Sequence, residues 1–79
     1  MKEKLRAFIT AELIKDAEYP LEDDESIVKG GLIDSWSLAT LGVFIEEQFG
    51  VFFPDPELTA DNMDSLNQIY NNIQAKLNA

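Results

Sequence analysis

The chain has 79 residues, enough for one compact domain and too few for two, because dividing so short a chain would leave neither half with a sufficient core. With 46% apolar residues it has the means to fold, but it contains no cysteine and no histidine, which removes disulfides, thiolate metal sites, Ser-His and Cys-His catalytic pairs and most zinc sites. A net charge of −9 excludes ordinary nucleic-acid binding, which needs cations to neutralise phosphates, and points to basic partners.

The N-terminus, Met1-Lys2-Glu3-Lys4-Leu5, is amphipathic from the start, so neither a signal peptide nor a membrane span is expected and the default location is cytoplasmic. Leu5, Phe8, Ile9 and Leu13 recur at helical spacing and predict a first helix from about Lys2 to Lys15. Tyr19-Pro20, the acidic run Glu22-Asp23-Asp24-Glu25 and Gly30-Gly31 interrupt the pattern. They predict a long connection over residues 16–34, pinned to the core by Leu21, Ile27, Val28, Leu32 and Ile33.

A second helix opens at Asp34-Ser35, places Leu38, Leu41, Ile45 and Phe49 on one stripe and stops at Gly50. Val51 to Pro56 reads as an extended linker, Thr59 to Asn62 as a short third helix capped by Thr59, and Asp64 starts a last helix carrying Leu66, Ile69, Tyr70, Ile73 and Leu77. The expectation is an all-α single domain over residues 1–79. It is a monomeric small four-helix bundle of three main helices and one short one, with Phe8, Leu41, Ile45, Phe49, Leu66 and Ile73 inside.

From Gly30 through Ala75 there is no Lys or Arg, while Asp34, Glu46, Glu47, Asp55, Glu57, Asp61 and Asp64 all fall there. No calcium loop hides in this run: counted from Asp55, the EF-hand glycine position is Ala60 and the bidentate glutamate position is Leu66. A bundle this small has no room for a substrate cavity of the usual size beside its core, so no catalysis of its own and no metal are expected. What remains is Gly31-Leu32-Ile33-Asp34-Ser35-Trp36, a glycine-bearing loop that delivers Asp-Ser to a helix N-terminus. Taken alone, the dipeptide is a helix cap, since both side chains accept hydrogen bonds from free backbone N–H groups.

Across nearly its whole length the chain resembles the acyl carrier protein family, which includes peptidyl and D-alanyl carrier domains. Asp34-Ser35-Trp36 matches the family's Asp-Ser-apolar motif at the start of helix II. Glu46, Glu47 and Phe49 match the acidic pair and phenylalanine that close it, and Phe53-Pro54-Asp55 stands where the family commonly has Ile-Pro-Asp. The resemblance implies that Ser35 is the attachment point of a covalent 4′-phosphopantetheine arm, donated from coenzyme A by a phosphopantetheinyl transferase. Asp34 would then contact that transferase or its Mg²⁺. It further implies that acyl intermediates ride on the arm as thioesters in fatty acid, polyketide or related biosynthesis. A loading ligase and downstream synthases or transferases would read Trp36, Glu46, Glu47, Asp55 and Glu57 through basic docking surfaces.

An aminoacyl, peptidyl or D-alanyl carrier fits the same motif, as does an unmodified docking module with a carrier fold. Ser37 and Thr40 stand where many fatty-acid carriers have acids, and the stretch between Pro54 and the last helix is slightly longer. Trp36 can cover the arm, meet a partner or belong to the core. The long connection over residues 16–34 and the short third helix are expected to be mobile.

Overall fold

The computed structural model describes residues 1–79 and is all-helical. α1 (Lys2–Phe8) passes directly into a π-helical stretch (Ile9–Ile14), α2 spans Ser37–Phe49 and α3 spans Leu66–Leu77. α1 packs against α3, and no helix is long and apolar enough to cross a membrane.

The first helix is present over its expected length, but its second half is wound wider. Buried Thr10 donates its hydroxyl to the carbonyls of Arg6 (3.0 Å) and Ala7 (3.2 Å), side-chain bonding to the preceding turn of the kind that bends helices. The stretch ends at Lys15, whose φ of 66° turns the chain out through the left-handed region. Leu5 and Ile9 from this helix are fully buried.

The connection that follows has no regular structure, yet it supplies Leu21, Ile27 and Ile33 to the core, with Val28 and Leu32 packed against them. Its polar anchors reach both neighbouring helices. Asp23 accepts from Arg6 (2.5 Å) and Lys2 (3.4 Å), its carbonyl accepts from Asn67 N–H (2.9 Å), and Arg6 also donates to the Leu21 carbonyl.

The tightest anchor is Asp64, whose carboxylate accepts from Ser26 Oγ–H (2.6 Å), Val28 N–H (2.9 Å) and Lys29 N–H (2.8 Å), while its carbonyl accepts from Ile27 N–H (2.7 Å). Burial pushes the Asp64 carboxyl up. The Ser26 hydroxyl, the two N–H donors and the Lys29 charge outweigh that and hold it below the usual carboxylate value.

The second connection corrects two expectations. No third helix forms at Thr59–Asn62: the N–H groups of Asn62 and Met63 both close on the Thr59 carbonyl (3.1 and 2.9 Å), and the turn goes no further. Fully buried Met63 and extended Ser65 (φ −143°, ψ 160°) lead the chain away from a helical path. The short helical turn lies earlier, at Asp55–Glu57, in a stretch expected to be extended; Pro56 sits in its first positions, where a missing N–H is harmless. The architecture is therefore three helices with a single 3-10 turn.

α3 also starts two residues later than predicted, because Ser65 is the cap, accepting from Gln68 N–H at 3.1 Å. Asp64 is left free to face the loop.

Leu41, Ile45, Leu66 and Ile73 are fully buried as predicted, together with Leu38, Ile69 and Met63. Phe8 and Phe49 are not: both are half-buried and pack at the edge of the core around Phe44, which stacks on Phe8 at 3.9 Å between centroids and meets Phe49 edge-on at 6.0 Å.

Candidate functional site

The head of α2 is built by a tight approach. At Gly30 any Cβ would lie 2.1 Å from the Ser26 carbonyl oxygen, and Gly31 has φ 86°, so the glycine pair is a steric requirement of the turn that delivers residues 32–36. Ile33 is buried and fixes the approach, after which Asp34, Ser35 and Trp36 are all exposed. The carbonyls of Asp34, Ser35 and Trp36 accept in turn from the N–H groups of Ser37, Leu38 and Ala39, each at 3.2 Å, forming an entry turn ahead of the regular helix.

Asp34 is the side-chain cap, its Oδ1 accepting from Ser37 N–H (3.0 Å) and Ser37 Oγ–H (3.1 Å). The capping role read from the sequence holds, although the regular helix begins at Ser37, three residues after Asp34. Ser37 thereby holds the Asp34 carboxylate in place through both its backbone and its side chain. Trp36 is 85% exposed, which removes a core role.

Ser35 opens onto a groove of about 190 Å³ lined with Trp36, Ala39, Asp55 and Leu58. A second groove of about 180 Å³ continues along α2, sharing Ala39, Asp55 and Leu58 and adding Gly42, Val43, Glu46 and Phe52. Leu58 lies between them on Gly42, where an added Cβ would sit 2.9 Å from Leu58 Cδ1. The obstacle is the end of a flexible side chain with open groove on both sides. Gly42→Ala is therefore expected to gain part of the ~1 kcal/mol of helix propensity that alanine offers over glycine while shifting Leu58 outward. Thermal denaturation should show a melting temperature no lower than that of the parent chain.

The predicted site residues divide. Ser35, Trp36, Asp55 and Glu46 lie along this double groove, and exposed Glu47 stands one turn beyond Val43. Glu57 does not join them. It pairs with Lys76 (2.9 Å) and lines a separate concavity with Phe53, Asn62 and Asn72.

Two other acids of the Lys- and Arg-free run, Asp61 and Asp64, are also engaged. Asp61 pairs with Lys29 at 2.7 Å, raising the Lys29 pKa, and Asp64 holds the loop. The five ion pairs use Lys2, Arg6, Lys29 and Lys76 and involve none of Asp34, Glu46, Glu47 or Asp55.

Sequence reasoning missed Val43, Phe52 and Leu58. Signals for the first two were present: Val43 falls off the Leu38-Leu41-Ile45 stripe, and the extended Val51-Phe52-Phe53 run must point alternate side chains in opposite directions. Val51 and Phe53 are indeed buried and Phe52 is out. No protein-family model matches the chain, and no curated protein matches it either.

Proposed function

We propose that this chain is a carrier whose Ser35 hydroxyl takes a 4′-phosphopantetheine arm from coenzyme A and which presents acyl intermediates as thioesters to partner enzymes. The observation that supports it best is the setting of Ser35: exposed, in the entry turn of a 13-residue helix, beside a capping aspartate, at the mouth of an apolar groove. Such a position suits the group. A phosphodiester on Ser35 would sit at the positive end of the α2 dipole, and exposure of the hydroxyl leaves it reachable by a transferase. The arm would supply the terminal thiol that a chain without cysteine lacks.

The residues of the chain itself do the positioning. Asp34 holds the entry turn through Ser37 and keeps a carboxylate next to the hydroxyl, where a transferase-bound Mg²⁺ would find an oxygen ligand. Trp36 and Leu58 flank the groove on which a tethered chain would lie. The transferase, a loading ligase and downstream synthases or transferases are the partners this reading requires. An aminoacyl, peptidyl or D-alanyl cargo is accommodated by the same serine and is separated by loading assays with different adenylating ligases.

Incubating the purified chain with coenzyme A and a broad-range phosphopantetheinyl transferase is expected to raise its intact mass by one arm, and Ser35→Ala to abolish the rise. No rise in the parent chain, or a rise that persists in the variant, would overturn the reading.

A further inference from the structure

The largest concavity in the molecule, about 230 Å³, shares no residue with the groove at Ser35. One side is α3, where Asn72 and Lys76 stand four residues apart and so are neighbours on the helix surface. The other side is the segment carrying Glu57 and Asn62. Buried Phe53 and Met63 supply most of its apolar lining.

The polar groups of this concavity are held in place but only partly used. Lys76 Nζ meets Glu57 Oε1 at 2.9 Å and lies 4.9 Å from the centre of the Phe53 ring, so the ammonium is fixed between a carboxylate and a π face. Glu57 is its one acceptor, which leaves N–H groups to spare. Asn72 donates Nδ2–H to the Asn62 carbonyl (2.8 Å), and Asn62 donates Nδ2–H to the Glu57 carbonyl (3.2 Å). This chain of bonds orients both amides and leaves each Oδ1 without a protein donor. One cation therefore stands beside one carboxylate and two amide oxygens that can still accept.

We infer that this concavity binds a small zwitterion without covalent attachment: an α-amino acid with a short apolar side chain, its carboxylate on Lys76, its ammonium on Glu57 and the asparagine oxygens, and its side chain against Phe53 and Met63. A lone cation would have to displace Lys76, which its tether keeps at high effective concentration. A lone anion would meet Glu57 in a chain of net charge −9. A zwitterion lying antiparallel to the resident pair avoids both costs, because each resident charge keeps its partner and gains a second. Lys76 and Glu57 are 34% and 44% exposed, so the ligand replaces water on them. The volume falls below that of sites for drug-sized molecules and suits a small amino acid. The inference does not rest on attachment of an arm to Ser35.

The test titrates the isotope-labelled, unmodified chain with L-valine and follows its amide NMR signals. Isobutylamine and isovalerate, which keep the branched side chain but lack the carboxylate or the ammonium, are the comparison probes. Valine is expected to shift the side-chain amide signals of Asn62 and Asn72 saturably in the millimolar range, and each comparison probe to bind about tenfold more weakly or worse, as loss of one charged hydrogen-bonding group requires. Glu57→Gln should weaken valine about tenfold. Lys76→Met should do the same and bring isobutylamine level with valine, since the freed carboxylate then needs only an ammonium. A surface pair of this kind contributes little to folding, so the circular dichroism of both variants should be unchanged. Glu12→Gln makes the same charge change as Glu57→Gln at an exposed site outside every ion pair, and should leave valine binding as it was.

No saturable shift with valine would overturn the inference. So would isobutylamine or isovalerate binding the parent chain as well as valine does, full valine affinity in Glu57→Gln, or an equal loss in Glu12→Gln, which would reduce the interaction to general charge attraction. Because coenzyme A and transferase are absent from this assay, its failure is distinct from failure of Ser35 to be modified.

Discussion

Replacing Asp64 by alanine is expected to lower the unfolding free energy by about 2–3 kcal/mol, a large share of what a domain this small possesses. One carboxylate accepts from Ser26 Oγ, Val28 N and Lys29 N, and its removal leaves three donors without their acceptor. A hydrogen bond to a charged group is worth roughly 1.5–3 kcal/mol, and half-exposure of this site lets water recover part of the loss. Urea denaturation measures the change; a loss below about 0.5 kcal/mol would mean that the loop is held by its apolar residues alone.

The same residue carries an acid dependence whose sign is fixed by its lowered pKa. Asp64 and Asp23 both titrate below the ordinary value of 3.8, Asp23 chiefly through its hydrogen bond from Arg6. A carboxyl whose folded pKa is depressed contributes stability that is present above its unfolded value and is lost as pH falls through the folded one. Unfolding curves should therefore be insensitive to these two groups near neutrality and weaken below about pH 4. In Asp64→Ala that acid limb should be shallower.

Ile27→Ala is expected to cost about 3 kcal/mol, as much as Ile45→Ala in the middle of α2. Both side chains are fully buried in one core. The cavity left behind depends on what surrounds the residue, whether or not the residue lies in a helix. In a chain of this length the change should lower the melting temperature by roughly 12 °C or more. A cost under about 1 kcal/mol for Ile27 with the full cost for Ile45 would show that the loop can collapse into the vacancy or is only loosely seated.

Ile27 also marks what was legible in the sequence. The three helices were readable because each carries a strong 3.6-residue stripe, and the loop's apolar residues were readable as core because they are too many to leave in water. The second connection was harder. Thr59-Ala60-Asp61-Asn62 has good local cap chemistry, but one turn gains little on its own, and burial of Met63 decided the backbone path.

Asp64 and Ser65 compete for the same cap. Ser65-Leu66-Asn67-Gln68 carries the Ser-x-x-Gln signature that settles it, and the contact that claims Asp64 comes from residues 26–29, far away in sequence. For the candidate site, Asp34, Ser35 and Trp36 could be placed from the chain. The separation of Glu57 from Glu46 and Asp55 could not, because it depends on how the segment around Leu58 lies across Gly42 and on the reach of Lys76.

Asp64 gives a segment without regular secondary structure the hydrogen bonding of one that has it. The amides of Ile27, Val28 and Lys29 are each donated to a single residue at the head of α3. In hydrogen–deuterium exchange these three amides should be protected to nearly the level of the helical interior, while amides closer to Lys15 exchange early. The long connection and α3 would then open as one cooperative unit, so freedom to rearrange around a visiting molecule has to come from the Asp55–Asn62 side of the groove.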